Sequence, residues 1–270
     1  MDMDVVARDG LVLLGCGKMG TALLTGWLAA GLPAASVWVL EPNPSDWLKS
    51  TGVHINAALP PAPAVALVAV KPQMMGAALP ALQALGNGTT LFISIAAGTP
   101  IAAFQAALGD QTPIVRTMPN TPAMVGRGIT GICGNAQAGA QGLALAHTLM
   151  LAVGQVVELD GEHQIDAVTA VSGSGPAYVF HLIEAMAAAG EAEGLPPGIA
   201  MQLARATVCG AGELAHRAPE TAAQLRINVT SPAGTTAAAL AHLMDPDTGL
   251  PPLTRRTVHA AAERGRELGK

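Results

Sequence analysis

"LVLLGCGKMGTALLTGWLAAG" (residues 11–31) sets three glycines in G-x-G-x-x-G spacing between a short apolar run and a helical pattern. Each glycine answers a separate need: Gly15 allows a tight turn, Gly17 lets a pyrophosphate approach bare backbone, and Gly20 lets the helix pack closely on the strand. The helix N-terminus, with Lys18 and Met19 in its first turn, then faces the anion. Alone the spacing is a weak signal, and its bland reading is a glycine-rich turn in some other α/β protein. Here a strand precedes it, a helix follows it to about Gly31, and a second strand, "VWVL" (37–40), comes where a Rossmann unit requires one.

Glu41 follows that second strand, 21 positions beyond Gly20. A carboxylate there accepts hydrogen bonds from the adenosine ribose hydroxyls and repels a 2'-phosphate. No arginine lies in "EPNPSDWLK" (41–49), and Lys49 reads as a solvated helix position. The bland reading of Glu41 is a strand-terminal carboxylate in solvent.

Working outward, the pattern repeats. "PAVALVAVKPQ" is a buried strand whose loop carries Lys71 and Pro72, followed by a helix over 74–85. "TLFISIAAG" precedes a helix over 100–108, and "TPIVRTMPNTPA" supplies a further strand. "GITGIC" and "GQVVEL" read as strands flanking a helix over 137–151. Near-continuous apolar strands alternating with helices predict an α/β, Rossmann-type, doubly wound parallel sheet. Ligands of such sheets bind at the carboxyl ends of the strands, which here carry "GCGKMG", "KPQ", "AAG" and "MPNTP". Arg116 and Asn120 border the last of these loops. Asn120 is expected on the cofactor side, the alternative being a side chain that ties the turn.

From Asp160 onward no strand is evident, and five helical stretches separated by proline and glycine predict an all-α second domain. The expected division is a dinucleotide-binding domain over 1–159 and a helical substrate-binding and dimerisation domain over 160–270. The helix around 199–214 is apolar around most of its circumference, which suggests burial against a second subunit as well as its own core. "SGSGPAY" (172–178) follows a helical stretch rather than a strand, and Pro176 suits a first helical turn. It therefore lacks the context of a second dinucleotide loop. Its small residues bring backbone close either to a ligand or to a neighbouring helix.

Composition narrows the partners. Half of the 270 residues are apolar, and the net charge is -5 with only four lysines and ten arginines. A nucleic-acid partner would need a basic stripe that is absent. The longest apolar run, "AVALVAV", is strand-length and too short to span a bilayer. No signal or transit peptide is readable in "MDMDVVARDG", so the expected location is the cytoplasm. Cys16, Cys133 and Cys209 are far apart and read as reduced, buried thiols rather than disulfides or metal ligands.

The segments "GCGKMG", "AVKPQ", "SIAAG", "MPNTPA", "DAVTAVSGSGPAY" and "VTSPAGTT", in this order over nearly the whole chain, together resemble the pyrroline-5-carboxylate reductase family. The resemblance implies reduction of a cyclic imine carboxylate, 1-pyrroline-5-carboxylate, to L-proline with hydride from NADPH or NADH. It implies a small-molecule substrate and a homodimer or a larger homo-oligomer built from dimers. It places the cofactor on the first glycine loop, Glu41, Asn56, the loop of Ala69, Val70, Lys71 and Pro72, and that of Ala96, Ala97 and Gly98. Ser231 and Thr235 are implied to hold the substrate carboxylate and Thr236 the ring nitrogen, with Ser174 as a further hydroxyl near the site. One departure stands out: Ala233 occupies a position where the family usually has glycine, and its methyl group restricts the turn if positive φ is needed.

A β-hydroxyacid dehydrogenase shares the plan of a Rossmann domain followed by helices, but uses a helical lysine as acid and base. This chain has no lysine between Lys71 and Lys270. A non-catalytic NAD(P)-binding regulatory module is the rival from another class, and the intact serine and threonine loop argues against it.

Overall fold

The computed structural model describes residues 3–269. In chain order the first part comprises α1 (Asp4–Asp9), β1 (Leu11–Leu14), α2 (Lys18–Ala29), β2 (Val37–Leu40), α3 (Asp46–Ser50), β3 (His54–Ile55) and β4 (Val65–Val68). It continues through α4 (Met75–Ala78), β5 (Leu91–Ser94), α5 (Ile101–Leu108), β6 (Ile114–Met118), β7 (Gly128–Gly134), α6 (Gly139–Leu151) and β8 (Gly154–Glu158). The helical remainder is α7 (Ile165–Val168), α8 (Gly175–Ala192), α9 (Pro197–Arg217), α10 (Ala222–Asn228), α11 (Thr235–Leu243) and α12 (Leu250–Leu268).

All eight strands belong to one sheet in the order β3-β2-β1-β4-β5-β6-β7-β8. The pairs from β3 to β6 are parallel, so the ends of these strands carry the loops "GCGKMG", "KPQ", "AAG" and "MPNTP" along one edge. Strand β7 pairs antiparallel with β6, and β8 runs parallel to β7. The sheet is thus mixed rather than purely parallel. The cause is covalent: residues 119–127 are too short for the crossover of roughly a dozen residues that parallel pairing demands.

Side-chain alternation divides the core into two layers. Leu11, Leu13, Val65 and Leu67 pack on one face with Leu23, Leu24 and Trp27 of α2. Val12, Leu14, Ala66 and Val68 pack on the other with Phe92, Phe104 and Leu82. Both faces are covered, which is why the strands read as unbroken apolar runs. The Trp27 indole donates to the Leu149 carbonyl at 2.9 Å, locking α2 to α6.

Three local differences from expectation have physical causes. The helix over 74–85 is broken into α4 and a 3₁₀ stretch, Leu79–Leu85, because Pro80 removes a donor and crowds the preceding turn. Strand β3 is only two residues long, held by its register on Trp38 and Val39 and by His54 stacking on Trp38 at 4.6 Å. Helix α10 is not among the five expected stretches; it begins at Ala222 because the hydroxyl of its N-cap, Thr221, accepts from Gln224 N.

The chain divides into two compact units, Met1–Gly173 with Ala261–Lys270, and Ser174–Ala260. The expected division after Leu159 marks the end of the last strand, but the next residues also pack on the sheet. Ile165 is buried, and a methyl group built on Gly131 of β7 would stand 3.0 Å from Val168 Cγ1. In the second unit the buried apolar residues are alanines, Ala187, Ala200 and Ala204, while Phe180, Leu203 and Val229 are more than half exposed. Among the described residues no helix is long and apolar enough to cross a membrane.

Candidate functional site

The three glycines of the first loop fulfil three distinct geometric roles. Gly15 has φ +88°, a value that only glycine adopts freely, and a methyl group on it would stand 3.0 Å from the Ala69 carbonyl oxygen. A methyl group on Gly20 would stand 2.6 Å from the Gly15 carbonyl oxygen, so α2 sits as close to the loop as backbone permits. Gly17 instead faces open space, with nothing within 4 Å of the same construction. It is the N-cap of α2 and provides no side-chain cap, and the first intrahelical bond back to it comes from Thr21 N. The N–H groups of Lys18, Met19 and Gly20 are left for a ligand, which fits a pyrophosphate. Lys18 and Lys71, both exposed, add positive charge to loops on this edge.

Glu41 closes the loop from the side. Its Oε2 accepts from Cys16 N at 2.8 Å and its Oε1 from Asn43 N at 3.0 Å. Asn56, in left-handed backbone at φ +51°, clasps the main chain of Glu41. Its Oδ1 accepts from Glu41 N and its Nδ2 donates to Glu41 O, each at 2.9 Å. The Cys16 thiol is pushed up from its ordinary pKa by burial, a shift that the Thr21 hydroxyl opposes and the Glu41 charge assists. It packs against the first core layer; of the three cysteines expected to be buried, only Cys133 is fully so, while Cys16 is half-buried and Cys209 stands exposed on α9.

The remaining cofactor candidates lie at the ends of the neighbouring strands. Ala69, Val70, Lys71 and Pro72 follow β4, with Pro72 opening a 3₁₀ turn. Ala96, Ala97 and Gly98 follow β5, Ala96 N donating to Ser94 Oγ at 3.2 Å and Gly98 standing at φ +72°. Asn120, expected to face the cofactor, has its amide committed to protein. Nδ2 donates to Ser172 O at 3.1 Å and Oδ1 accepts from Ile129 N at 3.0 Å, so it ties the β6 loop to β7 and to the start of "SGSG". Arg116, buried on β6, pairs with Glu162 at 2.7 Å, a partner 46 positions away that the sequence does not single out. Beside them, burial chiefly, with the Glu162 charge, raises the Cys133 thiol to about 11 against the opposing effect of Arg116.

"SGSG" is not a plain break between helices. Residues Thr169–Gly173 form a π-turn, a feature common at functional sites, and α8 follows with Ser174 as its N-cap and Pro176 in its first turn. Of the two close approaches left open by the sequence, Gly173 makes one to protein: a methyl group on it would stand 2.9 Å from Met118 Cε at the end of β6.

In the second unit, Ser231–Gly234 is a tight turn closed by Gly234 N donating to Ser231 O at 3.1 Å. Pro232 is its second residue and Ala233 its third, at φ +57°. This is the pattern of a type II turn, which calls for glycine at the third position. Gly234 is the N-cap of α11 and offers no side-chain cap. The hydroxyls of Ser231, Thr235 and Thr236 therefore stand beside a helix N-terminus whose first N–H groups have no cap, an arrangement suited to a carboxylate.

An open Rossmann loop in the first unit, with a helical second unit after it, is the build of a nicotinamide-dependent oxidoreductase. Comparison with known proteins agrees. Residues 11–98 match the model described as NADP oxidoreductase coenzyme F420-dependent, and residues 162–268 match pyrroline-5-carboxylate reductase dimerisation. The chain is 41% identical over 266 residues to a pyrroline-5-carboxylate reductase of Pseudomonas aeruginosa, covering 96% of this chain and 97% of the relative. It is 42% identical over 267 residues to that of Synechocystis, covering 96% and 98%. The fold superposes on a pyrroline-5-carboxylate reductase of Coxiella burnetii with a TM-score of 0.89 at 33% identity, covering 97% and 99% of the two chains. The chain belongs to the pyrroline-5-carboxylate reductase family.

Proposed function

We propose that this protein reduces the C=N bond of 1-pyrroline-5-carboxylate to give L-proline, and that the uncapped start of α11 is its substrate anchor. The observation that carries the reading is the set of hydroxyls on Ser231, Thr235 and Thr236 around that helix N-terminus, in the segment "VTSPAGTT" by which the chain resembles its family. Bound NAD(P)H supplies the hydride. The protein supplies placement. Ser231 and Thr235, with the amides of α11, hold the substrate carboxylate; Thr236 orients the ring nitrogen; Ser174 adds a hydroxyl at the head of α8. Hydride attack on a protonated imine needs alignment at near-contact distance and no covalent nucleophile, consistent with the lack of a reactive cysteine at the glycine loop.

On the coenzyme side, Gly15, Gly17, Lys18, Met19 and Gly20 receive the pyrophosphate, Glu41 and Asn56 border the adenosine ribose, and Ala69–Pro72 and Ala96–Gly98 line the remainder. Because the Glu41 carboxylate is held at the loop and no arginine accompanies it, NADH is accepted at least as well as NADPH. A relative from Plasmodium falciparum, 28% identical with a TM-score of 0.81, carries NADP in its structure. The second unit buries too little apolar surface to stand alone, so we assign its exposed α9 face to a homodimer, with activity dependent on that pairing. The deciding experiment mixes purified protein, the cyclic imine and either reduced coenzyme. Imine-dependent loss of the reduced nicotinamide absorbance with proline as product is expected; coenzyme binding without turnover would favour the regulatory module instead.

A further inference from the structure

We propose that Glu162 is a positioning residue for the coenzyme, acting through the loop at residues 96–98. This rests on the assignment of that loop to the coenzyme made above. Helix α5 begins at Ile101, just beyond the loop, and its N-cap Pro100 offers no side-chain acceptor. The acceptor comes from far along the chain: Glu162 Oε1 receives Ile101 N–H at 2.8 Å and, on the same oxygen, the Arg116 guanidinium at 2.7 Å. The Arg116 side chain is 7% exposed and its strand lies beside β5, so it holds the carboxylate against a rigid element.

Among the described residues, the other anchors of the loop are short-range or purely steric. Ser94 Oγ accepts from Ala96 N two residues away, and a methyl group on Gly98 would stand 3.2 Å from Leu268 Cβ at the end of α12. Neither fixes the exit of the loop into α5. Glu162 does, through a charge-assisted bond that is stronger than a neutral one and whose loss leaves the Ile101 N–H without its acceptor. The inferred consequence is that the carboxylate sets where the backbone of 96–98 stands when the coenzyme arrives.

The test is a titration of reduced coenzyme followed by its own emission, without substrate, on the parent and three variants. Glu162→Ala is expected to weaken coenzyme binding about tenfold, the scale of one charge-assisted hydrogen bond. Glu162→Gln keeps an oxygen acceptor for Ile101 N–H and stays within about twofold of the parent, since the neutral acceptor retains most of the placement. The double variant Arg116→Met with Glu162→Ala removes the buried cation that the single alanine would leave without a partner, so it recovers melting temperature yet still binds about tenfold more weakly. Parent-like binding by the folded double variant, or a glutamine variant as weak as the alanine one, overturns the proposal. Failure of both alanine variants to fold assigns Glu162 to stability alone and overturns it equally. A parent that binds no reduced coenzyme sinks the functional reading, and this one with it, whereas normal parent binding with unaffected variants sinks only this one.

Discussion

Replacing Ala233 by glycine is expected to make the protein more stable. Ala233 stands at φ +57° as the third residue of the Ser231–Gly234 turn, where its methyl group crowds its own backbone. Left-handed backbone costs an L-residue about 1–2 kcal/mol. The side chain is exposed, so its removal gives up no buried contact. Against this, glycine adds freedom to the unfolded chain worth about 0.4–1 kcal/mol. The balance is a net gain of about 0–1.6 kcal/mol, centred on about 0.8 kcal/mol. For a chain of this size that raises Tm by about 1–4 °C. The assay is thermal or urea unfolding of Ala233→Gly beside the parent at one protomer concentration, because association shifts the apparent midpoint. Ala233→Val, with a branched side chain in the same backbone, is expected to move the midpoint the other way. Imine turnover by the glycine variant should stay within about twofold of the parent, since glycine retains the existing turn. A glycine variant that unfolds earlier than the parent would refute the strained turn and the geometry derived from it.

Thr236→Ala should lower kcat/KM for the imine about tenfold, one hydrogen bond in the transition state, while coenzyme binding and Tm stay unchanged because Gly234 and not Thr236 is the N-cap of α11. An early-melting variant with normal turnover would make the threonine structural instead. Glu41→Ser removes the charge that a 2'-phosphate would meet and should raise the NADPH-to-NADH ratio of kcat/KM by about tenfold, roughly 1.4 kcal/mol; a parent already strongly selective for NADPH contradicts this. Leu203→Glu places a carboxylate on the exposed apolar face of α9 and should yield monomers, seen by light scattering, with activity lost; a stable monomer of full activity rules out the dimer-dependent site.

The glycine loop was legible because its requirements are local: a tight turn, bare backbone and close packing each demand glycine at one position. The apolar strands were legible because both faces of the sheet are covered. Strand direction was not carried by composition, although the shortness of 119–127 contains the reason why β7 turns back. Two-residue β3 has no periodicity to read, and its evidence is the stack of His54 on Trp38. At the site, Gly17 and Gly20 stand as their spacing required, and Ala233 proved to occupy the positive-φ position that its departure from glycine had raised. Asn120 and Asn56 both spend their side-chain amides on main chain, which their motifs do not reveal, because an amide that can reach a ligand can equally close a turn. Arg116 and Glu162 were beyond reach, since a pair 46 residues apart is brought together only by the packed sheet.

A ribosome delivers residues 1–173 well before residues 261–269, yet both belong to the same compact unit. Domains ordinarily mature in the order in which they leave the exit tunnel. Here Gly98 waits for Leu268, and Asp166 for Gly265, whose added methyl group would stand 3.0 Å from its carboxylate oxygen. The nucleotide-binding unit is begun first and completed last, after the whole helical unit has been made.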